Sequence, residues 1–169
     1  VPGGPFDMVF SSNMLEHVPP QQLEAIHRRV RSMLQPDGFA IHRFNPGDHY
    51  VEFTGSRVNF LKYPEALWYY LGGSGLSYHN RLRTDEHAQL ARRAGLTMCL
   101  WADAVHPADL HDIRTGRQRL APQFRGRPPR FLAAHYSWFV LRPRTGRESA
   151  ETPERVDWID DIFETTSEG

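Results

Sequence analysis

The stretch that most constrains the fold lies near the start of the chain. Phe6-Asp7-Met8-Val9-Phe10-Ser11 is a short, mostly apolar run reached through Pro and Gly. A run of that length reads as a buried strand of a parallel sheet. Ser12 to Val18 is the loop leaving it, and Pro19-Pro20 suit the first turn of a helix, where a missing N–H costs little. Leu23, Ile26, Val30, Met33 and Leu34 then recur at helical spacing, with Arg28, Arg29 and Arg31 largely off that stripe. Pro36 disfavours helix at the residue before it and Gly38 accepts a left-handed turn, so the helix stops at Gln35-Pro36-Asp37-Gly38. Phe39 to Phe44 is a second strand. Strand, helix, tight turn and strand make one βαβ unit, which places both strands parallel in a sheet.

Beyond it, 45–83 is long and aromatic, with a short helix expected over Pro64 to Leu71 and a plain turn at Gly72-Gly73-Ser74-Gly75. The aromatic side chains of 50–78 read as core more than as a substrate cage. Thr84 is a good N-cap, followed by Asp85 and Glu86 in the first helical turn, where the dipole favours acids. Leu90, Ala91 and Ala94 form that helix's inner face, and Gly95 ends it. Thr97 to Ala102 is a third strand and Phe131 to Leu141 a fourth. The excursion between them lacks a strong helix, so the two are expected as antiparallel neighbours at one sheet edge.

With 169 residues, the chain is long enough for one domain with a real core. Its 20 basic and 20 acidic residues cancel, which argues against a general nucleic-acid binder. No apolar run reaches the length of a membrane span and no signal peptide opens the chain. The lone cysteine, Cys99, precludes an internal disulfide and reads as an inert core thiol, in keeping with a cytoplasmic location. Charge is unevenly spread: Ile113 to Arg147 holds nine Arg and no acid, whereas Glu148 to Gly169 holds eight acids and one Arg. The tail is therefore expected to be acidic and flexible, with Val156, Trp158, Ile159, Ile162 and Phe163 as a potential docking helix.

The segments Phe6-Asp7-Met8-Val9-Phe10, Met14-Leu15-Glu16-His17-Val18 and Leu34-Gln35-Pro36-Asp37-Gly38, taken together, resemble the second half of class I S-adenosylmethionine-dependent methyltransferases. Asp37 stands where that family has the first Gly of its turn. Asn80-Arg81-Leu82-Arg83 before a helix ending Ala94-Gly95-Leu96 adds to the similarity, which covers roughly 5–142. The resemblance implies an α/β fold: a partial Rossmann-like methyltransferase sheet with its last four strands, the final pair antiparallel, and helices. Residues 1–143 would be the C-terminal part of a methyltransferase domain, 44–83 an acceptor-side insertion, 106–129 an Arg/Pro-rich insertion, and 144–169 the tail. The family's Gly-rich cofactor loop has no counterpart in the sequence, and the chain opens on Val1 rather than Met, so it reads as a fragment. The family's sheet order would then leave strand 6–11 with an unpaired edge, open to a partner or to a missing N-terminal half.

The same resemblance implies S-adenosylmethionine as cofactor and a small-molecule or glycan/lipid-precursor acceptor. Ser11, Ser12 and Asn13 would line the cofactor. Methyl transfer to a hydroxyl needs alignment and a base, and His17 and His49 are the catalytic candidates. Asp48, Tyr50, His79, Asn80, Arg81 and Arg83 are candidates for binding the acceptor. Glu16-His17 has an alternative role in capping and orienting the following helix. The metal-like cluster seen in the sequence, His106-Pro107-Ala108-Asp109-Leu110-His111-Asp112, lacks ligand spacing and reads as a polar loop, so no metal is expected. The competing reading is a non-catalytic interaction module derived from the same fold.

Overall fold

The computed structural model describes residues 4–70 and 78–145 with their side chains, and residues 71–72 and 154–159 by backbone alone. The turn expected at Gly73-Ser74-Gly75 lies outside the described residues. The chain runs β1 (Phe6–Ser12), α1 (Pro20–Met33), β2 (Leu34–Phe44), α2 (Val51–Thr54), α3 (Glu65–Gly72) and α4 (Thr84–Arg93). There follow β3 (Leu96–Val105), α5 (Pro107–Thr115), α6 (Pro129–Ala133), β4 (Ala134–Pro143) and β5 (Glu154–Ile159).

The βαβ unit forms as its punctuation dictates. Pro20 opens α1 in its first turn, and β1 pairs parallel to β2. At the start of this pair the register jumps from Phe6↔Leu34 to Met8↔Phe39, so the Pro36-Asp37-Gly38 segment bulges within β2. A Cβ on Gly38 would sit 2.9 Å from the Phe6 carbonyl oxygen, which only glycine avoids.

The sheet order is β1-β2-β4-β3-β5. β4 is antiparallel to both β2 and β3, and β5 is parallel to β3. This is a mixed parallel and antiparallel α/β sheet flanked by helices, and the antiparallel pairing of the third and fourth strands is as expected. The order within that pair, which the sequence left open, has β4 between β2 and β3, because the excursion returns the chain to the middle of the sheet. One placement differs. The edge beside β3 is taken by β5, so part of the acidic tail is strand and not helix.

Boundaries also moved. The 106–129 excursion contains a true helix, α5, opened by Pro107 and closed by Gly116 at φ 75°. Phe131 belongs to α6, which starts at a Pro-Pro pair, and its ring stacks on Trp101 at 5.5 Å. Thr84 lies one residue inside α4 and is buried. Arg83 occupies the N-cap position, where its N–H donates to Glu86 Oε2 at 2.8 Å.

Helices α1 and α4 cover one face of the sheet. Leu23, Val30, Ala88 and Ala91 pack there against Ala40, Phe44, Phe139 and Leu141. Truncating a side chain as fully enclosed as Leu23 costs about 2–5 kcal/mol. A second core joins Phe60, Leu61 and Trp68 to Val105, Phe124 and Leu132. The expectation that the aromatic stretch is core holds for Phe60 and Trp68, with Tyr63 packed against them, but Tyr50, Phe53, Tyr69 and Tyr70 are exposed. β1 is not the buried strand its composition suggested: Met8 is 53 % and Phe10 60 % exposed. The reason is that β1 is the terminal strand and α1 covers only its inward face. Among the described residues, no helix is long and apolar enough to cross a membrane.

Candidate functional site

Parallel strands β1 and β2 end side by side, with Ser12 opposite Arg43. The C-terminal ends of parallel strands are where open α/β sheets place their ligands. The loop leaving β1 carries Glu16 and His17 in a short 3-10 turn, and the loop leaving β2 carries Asp48 and His49. A third segment, 78–83, is bound across the first. The Asn80 N–H donates to Glu16 O at 2.8 Å, and the Asn80 amide donates to Leu15 O and Val18 O, each at 2.8 Å.

These loops bring three imidazoles together. Ring centroids are 5.2 Å apart for His17 and His49, 6.0 Å for His17 and His79, and 4.1 Å for His49 and His79. Nδ1 of His17 lies 2.9 Å from the Tyr78 carbonyl oxygen. A carbonyl only accepts, so Nδ1 carries the hydrogen, and the neutral ring has its lone pair on Nε2. Nε2 of His79 donates in the same way to Asn45 O at 3.2 Å. Beside the rings sits Glu16, only 1 % exposed. Its Oε1 accepts the Asn45 N–H at 3.1 Å, while Oε2 is buried without a partner. One donor atom each from Glu16, His17 and His49 fall within 4.8 Å of one another.

Burial sets the electrostatics. Desolvation first, then the neighbouring His49, lowers His79 to about 3, so its ring is neutral. Desolvation also lowers His49, with His17 adding to it. Burial raises the Glu16 carboxyl, against the backbone N–H groups that hold its charged form. Burial likewise raises Asp48.

The structure gathers His17, His49 and His79 from the residues singled out in the sequence, but it engages most of the others in holding loops. Asp48 accepts Tyr50 N–H at 2.8 Å through Oδ1 and Phe60 N–H at 3.0 Å through Oδ2. Arg81 donates to Phe60 O at 3.1 Å and to Tyr63 O at 2.5 Å, and pairs with Glu65. Arg83 is fully buried and donates to four main-chain carbonyls, those of Pro46, Phe131, Leu132 and Ala134. Desolvation lowers its guanidinium to about 10, leaving it charged at neutral pH. Tyr50 is 40 % exposed beside the site. His79, Asn80 and Arg81 line a cavity of about 310 Å³ together with Trp68, Tyr69 and Arg127.

Of the residues expected to line a cofactor, Ser11 instead turns its hydroxyl inward, 2.6 Å from His42 Nδ1 under α1. Ser12 Oγ and Asn13 Oδ1 each accept from Arg43 at 3.2 Å, and Asn13 turns the chain at φ 49°. The Arg43 guanidinium rests 4.5 Å from the Tyr136 ring centroid.

Sequence reasoning read Glu16 only as a helix cap. In the structure α1 has no side-chain cap, and Glu16 faces the imidazoles instead. It also missed Asn45, which holds Glu16 through its N–H and His79 through its carbonyl. The available signal was Asn45-Pro46-Gly47 directly after a strand, an ordinary turn pattern. In the His106–Asp112 cluster, His106 at the start of α5 lies 3.6 Å from Asp109, which also accepts Ser56 Oγ at 3.0 Å, while His111 faces Arg117.

No known protein family matches the chain, and neither does any curated protein. Among solved structures, 26 chains match. One is the [4+2]-cyclase SpnF, at 14 % identity and a TM-score of 0.45, aligned over 86 % of this chain and 54 % of that one. The chain thus spans about half the length of that structure.

Proposed function

We propose that this chain is the acceptor-side part of an S-adenosylmethionine-dependent methyltransferase, acting on a small-molecule or glycan/lipid-precursor acceptor. The observation that carries the reading is the convergence of His17, His49 and His79 at the shared C-terminal end of two parallel strands. The sequence resemblance independently expects the reacting groups at that place. Ser12, Asn13 and Arg43 fit the cofactor in part: a guanidinium and an amide suit the amino-acid end of the molecule, its carboxylate above all. The described residues hold no cradle for the nucleoside. That part of the site would come from chain pairing along the open edge of β1.

When bound, the cofactor supplies a methyl group already activated on a sulfonium. The work left to the chain's own residues is orientation and proton removal. The Tyr78 carbonyl fixes His17 with Nε2 unprotonated, aimed away from that carbonyl. Nε2 can therefore accept the proton of an acceptor hydroxyl as its oxygen attacks. His49 is the second such group, and the aromatic wall of Trp68 and Tyr69 offers apolar surface to the acceptor.

The test is a methyl-transfer assay with labelled donor on the chain expressed together with its upstream coding sequence. Transfer to a small-molecule pool, reduced roughly 100-fold or more by His17→Ala, supports the reading. Transfer unaffected by His17→Ala removes the base. Absence of thermal stabilisation by S-adenosylhomocysteine in the same protein overturns cofactor binding altogether. The second reading, a non-catalytic binding module, is favoured by the engagement of Asp48, Asn80, Arg81 and Arg83 in structural bonds. It predicts ligand stabilisation without transfer.

A further inference from the structure

We propose that Glu16, His17 and His49 bind a divalent transition-metal ion, with Zn2+ the best match to the donor set. Two imidazole nitrogens and one carboxylate oxygen suit Zn2+, Co2+ or Fe2+ over the harder Mg2+ and Ca2+. Their donor atoms lie within 4.8 Å of one another. In a tetrahedral zinc site ligands about 2.0–2.1 Å from the metal are roughly 3.3 Å apart. His17 and His49 are both exposed, so their rings can turn to close that difference without disturbing the core.

An independent observation points to a cation. Glu16 Oε2 is buried with no hydrogen-bond partner, although its companion Oε1 is held by the Asn45 N–H. A carboxylate oxygen left so is costly unless a cation or proton meets it. The side groups are arranged as those around bound metals are. His17 donates its Nδ1–H to a backbone carbonyl, which presents Nε2 outward as a ligand. His79, 4.1 Å from His49 and tied to Asn45 O, supports the His49 ring without joining the set. Three protein ligands leave a coordination position open, the pattern of sites that bind water or a substrate oxygen. The proposal does not depend on methyl transfer. It changes the role of His17, whose Nε2 serves the metal or a proton but not both.

The experiment is titration of Co2+, then Zn2+, into the full chain, followed by visible absorption and calorimetry. The expected result is one Co2+ per chain with the ligand-field bands of a four- or five-coordinate site, displaced by Zn2+ and not by Mg2+. Glu16→Gln and His49→Ala should each weaken binding about tenfold or more, with circular dichroism showing both folded. His49 is exposed, so its variant tests the site even if Glu16→Gln unfolds. His79→Ala should bind within about threefold of the parent chain. No binding at equimolar metal overturns the proposal, as does wild-type affinity in His49→Ala. Loss in His79→Ala alone overturns it equally, since the ligands would then be others. Failure to bind metal leaves the transfer assay as it stands, whereas binding moves the base role from His17 to another group without touching cofactor stabilisation.

Discussion

The molecule holds two histidine trios, and they are opposites. His17, His49 and His79 stand at the strand ends, on loops, beside a carboxylate and backbone carbonyls. His27 on α1, His42 on β2 and His87 on α4 lie between the sheet and its helices, each 0 % exposed. His27 and His42 rings are 5.3 Å apart, and His87 lies 4.5 Å from Phe44. Both nitrogens of His27 and of His87 lack partners, as does Nε2 of His42. The inner trio therefore acts as flat, neutral filler; in the outer trio His79 is nearly as enclosed but has the Asn45 carbonyl as partner, while His17 and His49 reach solvent. The side chain is the same; what differs is whether the backbone offers its ring nitrogens a partner and whether water reaches them.

The largest expected effect is a pH response of the enclosed rings, the inner trio together with His79. Desolvation lowers His27 to about 4, and lowers His42 and His87 to about 3, with neighbouring histidines adding to the last two. Folded values below 6.5 mean that the unfolded chain takes up protons first. Stability should be complete above about pH 6.5 and fall as pH drops toward 4 and below. On the order of 3 kcal/mol per ring at pH 4 rivals the roughly 5–15 kcal/mol of a whole domain. Urea melts from pH 7.5 to 4 check this, and His87→Leu should flatten the curve. A melt indifferent to pH in that range would mean the inner rings are not held neutral.

The next effect tests what holds the outer trio. Asn80→Ala removes two donors from Leu15 O and Val18 O, and should destabilise by about 2–3 kcal/mol. It should also speed amide exchange around Glu16 and His17. Asn45→Ala loses its bond to Gly47 N–H, 2.8 Å long, but keeps both main-chain contacts to the site. About 1 kcal/mol is expected by thermal denaturation. The smallest change is His49→Ala: an exposed ring should alter stability by no more than about 0.5 kcal/mol. A large loss there would place the outer trio among the packing groups and erase the distinction.

The βαβ unit was legible in the sequence because its signals are local. Pro20 starts α1 and the Pro36-Asp37-Gly38 segment sits at the entry to β2, as a bulge within the strand where a turn was expected, and each acts within a few residues. The order of β4 and β3 was not legible, since antiparallel partners such as Ala40 and Leu141 are about a hundred residues apart. The site was half legible. His17, His49 and His79 stood out by residue type, but what tells a ligand from a strut is the partner. Arg83 looked like an anion binder until carbonyls from Pro46 and from 131–134 enclosed it. Asp48 looked like a carboxylate free to bind an acceptor until two N–H groups claimed it. Such partners come from distant segments and leave no periodicity.

Asn45 and His79 are joined across 34 positions by one contact between a ring nitrogen and a main-chain oxygen. The chain between them is thereby tied at its neck like a purse. Within the loop the exposed rings of Phe53, Tyr69 and Tyr70 can be repainted without loosening the drawstring. Phe60 and Trp68 cannot, because they are also stitched into the second core.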